Sequence, residues 1–138
     1  MIQSAILFIM LVVCSVEDLK TKEIKTQTIC IFGIVGILLH LWFSNLKTID
    51  MLGGMAVGII LLIVSKIFKN SVGEGDGIIL VISGIYLGMN RNMELFFYSI
   101  LLSGIFSAFL FFFFHKKKEY EIPFVPFLCL GYMGVLFL

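Results

Sequence analysis

Two aspartates stand where a polar break in the chain meets an apolar run. Asp18 follows the run Ile2 to Val16 within Cys14-Ser15-Val16-Glu17-Asp18-Leu19-Lys20, and Asp76 opens the run from Ile78 within Gly73-Glu74-Gly75-Asp76-Gly77-Ile78. At such a junction an ionisable group is partly desolvated and still wet. Two carboxylates brought close together cannot both ionise comfortably, so the pair holds one proton between them near neutral pH. The ionised member can take a proton from water while the protonated member polarises a scissile carbonyl, with no covalent intermediate. Gly73, Gly75 and Gly77 remove bulk on both sides of Asp76, permit positive φ, and leave room for a second extended chain. The same pair of acids would also suit a proton relay, an ion site or a hydrogen-bond network between helices. From the residues alone, hydrolysis and ion-coupled transport both stand.

The elements that must position these acids are helices in a bilayer. Of 138 residues, 60% are hydrophobic and 14% charged, and the mean hydropathy is +1.11. One soluble globule of this size has too little interior to hide that much apolar surface. An all-α membrane protein follows, and six apolar segments near 2–16, 28–46, 49–68, 76–90, 95–114 and 122–138 approach the roughly 20 residues of a span. One membrane domain over 1–138 accounts for the chain, which shows no internal repeat and no long soluble region. A net charge of +1 excludes a broad basic field for nucleic acid. Cys14, Cys30 and Cys129 lie singly inside apolar runs, so they read as packing or lipid-facing residues, and no metal or cofactor is expected. The first run is expected to stay as a span, because no positive charge precedes it and Val13 is too large for a signal cleavage site.

The basic residues set the sidedness. Lys20, Lys22 and Lys25 fall in the first break, Lys66 and Lys69 flank the third, and Lys116, Lys117 and Lys118 fill the fifth, whereas the second and fourth hold only Lys47 and Arg91. The positive-inside rule puts breaks one, three and five in the cytoplasm and both termini outside. Asp18 and Asp76 then share the inner face. The stretch from Gly77 to Met89 is short for a span, so either the helix extends back through Asp76 or the glycine turn dips inward, where protein or a watery cavity must satisfy its backbone. Gly54 with Gly58, Gly84 with Gly88, and Ser103 with Ser107 have the small-residue spacing that lets helices approach closely. Trp42 and the run Phe109 to Phe114 read as lipid contact or core.

At these residues the chain resembles the type IV prepilin peptidase family. That family carries an Asp after its first span, then Gly-x-Gly-Asp, then Pro-Phe-x-Pro-Phe entering the last span. Here the three appear in order as Asp18, Gly73-Glu74-Gly75-Asp76, and Pro123-Phe124-Val125-Pro126-Phe127. The resemblance implies a membrane aspartic endopeptidase with Asp18 and Asp76 as catalytic acids. Its substrate would be a prepilin, pseudopilin or preflagellin-like precursor with a basic leader and an apolar helix, cut at the cytoplasmic face of a prokaryotic cell membrane. Gly73, Gly75, Gly77, Pro123, Phe124 and Pro126 would shape the substrate cleft, although proline also has a plain role at helix starts. Three positions depart from the pattern: Ile78 stands where the family often has lysine, Lys25 where proline commonly follows Ile24, and Val125 where glycine separates Phe124 from Pro126. Larger members carry an N-terminal extension linked to methylation of the new N-terminus; starting at the first span, this chain is expected to lack that activity. Presenilin-like proteases share Gly-x-Gly-Asp but pair it with a Pro-Ala-Leu segment absent here. A transport protein using the same acids, or an inactive homologue, are the alternatives.

Overall fold

The computed structural model describes residues 1–43, 46–68, 73–114 and 122–137. They form helices throughout: α1 Ile2–Thr21, α2 Thr26–Phe43, α3 Thr48–Ile67, α4 Glu74–Phe114 and α5 Val125–Phe137. Lys69 and the cluster Lys116, Lys117 and Lys118 lie outside the described residues. The expectation of six separate spans is corrected. Four helices, α1 to α4, are long and apolar enough to cross a membrane. The 13 residues of α5 reach only about 20 Å, short of a hydrocarbon core of about 30 Å.

The segments expected at 76–90 and 95–114 are both in α4, whose 41 residues are interrupted at one place. Gly88 has φ 74° and ψ −177°, a region of backbone space that is almost exclusively glycine's. The side-chain amide of Asn92 nevertheless donates to the carbonyl of Leu80 at 2.9 Å. In a straight helix those residues would stand about 18 Å apart, so the chain doubles back at Gly88. Asn92 also donates to Gly54 O on α3 at 2.8 Å, and its own carbonyl accepts from the Ser83 hydroxyl at 2.6 Å. One fully buried amide thus closes the reversal and ties it to the neighbouring helix. The sequence places a break between spans at 91–94; here those residues belong to the start of the returning helix.

Small residues bring α3 and α4 into backbone contact. A methyl group on Gly54 would stand 2.6 Å from Gly84 O, and one on Gly58 would stand 2.7 Å from Gly77 O. Close helix approach of this kind is what small-residue spacing supplies in membranes. The apolar core lies among α1, α4 and α5, where Leu7, Met10, Leu11, Leu80, Leu95, Leu128 and Tyr132 are fully buried. Cys14 joins this core, while Cys30 on α2 is exposed and Cys129 half-buried. Beyond Ser99, the returning part of α4 turns Ile105, Phe109 and Phe111 to Phe114 outward, and Trp42 is exposed at the end of α2. Those side chains are placed for contact with lipid.

Candidate active site

The two aspartates come from helix ends that the fold brings to one end of the molecule. Asp18 lies in the last turn of α1, where its carbonyl accepts from Lys22 N–H at 3.0 Å. Lys22 there adopts a left-handed conformation, φ 54° and ψ 17°, and the helix stops. Asp76 lies in the first turn of α4 beside Glu74, where a negative side chain is favoured by the helix dipole. Of the two alternatives open in the sequence, the helix extends back through Asp76.

Both aspartates line one cavity of about 610 Å³. Its walls are the α1–α2 turn with Lys22, Glu23 and Ile24; the start of α4 with Gly73, Glu74, Gly75 and Ile78; and Ile122, Pro123 and Phe124 ahead of α5. The Asp18 carboxylate is near enough to act electrostatically on Asp76. Oδ2 of Asp18 also accepts from the backbone N–H of Val125 at 3.3 Å, which fixes it against the first residue of α5. Among the described residues, no three His, Cys, Asp or Glu side chains converge as a metal set.

The glycines around Asp76 are used for space. Among the described residues Gly88 is the glycine with positive φ, so the expected positive-φ freedom at 73, 75 and 77 is not drawn on. A methyl on Gly73 would stand 2.9 Å from Asp76 Oδ2, and one on Gly75 would stand 2.8 Å from Ile24 Cδ1. Gly77 faces away from the cavity: a methyl there would meet the Leu62 side chain of α3 at 2.7 Å. Pro123 and Phe124 line the cavity, whereas Pro126 does not. Pro126 sits in the first turn of α5, where a missing N–H leaves no helical bond unmade.

Glu17 was not visible as a site residue in the sequence. Its Oε1 accepts from the Thr28 hydroxyl at 2.9 Å and its Oε2 from Lys25 N–H at 3.2 Å. Its only signal is an acid one residue before Asp18 and upstream of a helix that begins after Lys25 with no acid of its own in the first turn.

A family model described as the type IV leader peptidase family matches residues 5–108. That range includes Asp18 and Asp76 and stops before Pro123 to Pro126. No curated protein and no solved structure matches the chain. With a match over well more than half its length, this membrane protein belongs to the type IV leader peptidase family.

Proposed function

We propose that the chain is a leader peptidase that hydrolyses one amide bond of a prepilin-like precursor, with Asp18 and Asp76 activating the water. The observation that carries this reading is that two acids from separate parts of the family pattern, on different helices, line a single open cavity. The ionised carboxylate accepts a proton from water, and the resulting hydroxide attacks the scissile carbonyl carbon. The protonated carboxyl donates a hydrogen bond to the carbonyl oxygen as charge develops there. The tetrahedral intermediate then collapses, the C–N bond breaks, and the first carboxyl returns its proton to the leaving nitrogen.

The cavity's charge supports a basic leader as substrate. Asp18, Glu23, Glu74 and Asp76 line it with Lys22, so a cationic segment meets an excess of acids there. Ile24, Ile29, Ile78 and Phe124 offer apolar wall for the start of the precursor's helix. The concentration of Lys20, Lys22, Lys25 and Lys66 at this end supports a cytoplasmic orientation.

The test is co-expression with a precursor carrying a basic leader, a glycine and an apolar helix, followed by the size shift on a gel. Asp18→Asn and Asp76→Asn keep volume and remove the titratable proton, and each is expected to lower cleavage by about 10²–10⁴-fold. Wild-type cleavage by either variant would overturn the assignment.

A further inference from the structure

Helix α2 begins without an acidic residue in its first turn, yet its first turn is not left bare. Lys25 O accepts from Ile29 N–H at 3.3 Å, which makes Lys25 the capping position and Thr28 the third residue of the helix. In a capping box, a glutamate at that third position reaches back to the cap's own N–H. Here that third position holds Thr28, whose hydroxyl donates instead, and Glu17 supplies the acceptor from α1: Oε2 takes Lys25 N–H at 3.2 Å and Oε1 takes the Thr28 hydroxyl at 2.9 Å. A negative charge at the start of α2 is also favoured by the dipole of that helix. The Thr21 hydroxyl spans the same turn, donating to Glu17 O at 2.9 Å, and stands 2.8 Å from Glu23 O.

The turn held in this way is a wall of the cavity. Glu17 precedes Asp18 in the same helix. Ile24, inside the tethered turn, rests where a methyl on Gly75 would come within 2.8 Å of it, and Gly75 precedes Asp76. One carboxylate therefore links the helix that carries Asp18, through Lys25 and Ile24, to the segment that carries Asp76. We propose that Glu17 is a positioning residue, whose bonds to Lys25 and Thr28 set how Asp18 faces Asp76 across the cavity. This role rests on the peptidase reading above. Because reacting groups misplaced by about 1 Å can cost about 10²-fold in rate, loss of the tether reaches the chemical step without any contact between Glu17 and substrate.

The experiment uses the full chain in liposomes with a purified precursor bearing a basic leader. It measures kcat and KM for wild type, Glu17→Ala, Glu17→Gln and Thr28→Val, the thermal unfolding midpoint of each, and hydrogen exchange at the Lys25 amide. Glu17→Ala is expected to speed exchange at Lys25 and to lower kcat per folded molecule by about 10–100-fold, with KM within about threefold. Glu17→Gln, which keeps one acceptor oxygen, is expected to recover most of the loss, and Thr28→Val to lose severalfold. If Glu17→Ala does not fold, the milder Thr28→Val decides, and wild-type kcat there overturns the proposal. A lower unfolding midpoint with wild-type kcat in Glu17→Ala overturns the positioning role and leaves the peptidase reading intact. A wild-type protein that cleaves no precursor, while Lys25 stays protected, overturns the peptidase reading and with it the positioning role.

Discussion

The backbone N–H of Val125 donates to Asp18 Oδ2 at 3.3 Å, joining residues 107 positions apart. This bond closes the last described helix onto the first and gives the Pro123 to Pro126 segment a part in the site that its prolines do not explain. The donor belongs to the main chain at the first residue of α5, where it has no helical partner to serve.

Proline at position 125 would remove that donor and exchange the buried valine side chain, while the helix can still start there because proline is tolerated at the first helical residue. Hydrogen bonds to charged groups contribute about 1.5–3 kcal/mol, so Val125→Pro is expected to lower kcat by roughly tenfold or more. Val125→Ala keeps the N–H and loses only the buried side chain; it is expected to lower thermal stability and keep most of kcat. Equal kcat losses in the two variants would show that packing, and not the bond, is what matters.

Glycine-to-alanine changes should separate by what each methyl would meet. At Gly58 and Gly84 it meets the backbone of the facing helix, which cannot move aside cheaply, and overpacking of this kind costs about 1–3 kcal/mol. At Gly104 nothing lies within 4 Å, and alanine in a helix interior is favoured by about 0.5–1 kcal/mol over glycine. Thermal unfolding in detergent micelles should therefore fall for Gly58→Ala and Gly84→Ala and hold or rise for Gly104→Ala.

Removing the amide at Asn92 should loosen the reversal at Gly88. Asn92→Ala would take from the buried Ser83 hydroxyl its 2.6 Å acceptor, leaving it Leu80 O at 3.1 Å, and would withdraw a donor from Gly54 O and Leu80 O. Each hydrogen bond lost costs about 0.5–1.5 kcal/mol. The loss should appear as faster hydrogen exchange on both sides of Gly88, and Gly88→Ala, forced into φ 74°, should act in the same direction.

Gly75→Ala should disturb activity more than stability. Its methyl would press on Cδ1 of Ile24, the far end of a flexible side chain that can swing away into the cavity. A raised KM with an unfolding midpoint close to wild type is expected. Ile24→Val, one methyl shorter on that side, should recover much of the KM in the double variant, and no recovery would show that the two residues are uncoupled.

The sequence made Asp18, Asp76 and their shared end of the molecule legible, because an acid at the edge of an apolar run is rare and the lysines report sidedness. The paired glycines of α3 and α4 were legible as close-packing positions for the same reason: spacing alone encodes a helix face. A break between two apolar segments was legible at 91–94, but its true position at Gly88 and its closure by the Asn92 amide were hidden, since the partner that marks Asn92 is Gly54 of another helix. Pro126 carries a motif proline's appearance, but its place in the first turn of α5 turns it away from the cavity. Glu17 could not be assigned because its partners, Lys25 and Thr28, are set by the angle between α1 and α2, which no local pattern specifies.

The outward-facing aromatic stretch of α4 gives the proposed peptidase site a route to the surrounding lipid. Gly104 has open space beside it and Phe109 and Phe111 to Phe114 are uncovered, while Phe106 meets Phe127 of α5 with ring centroids 5.4 Å apart. Acyl chains packed along that stretch would brace the helix whose first amide bonds Asp18, so on the peptidase reading turnover should follow bilayer thickness.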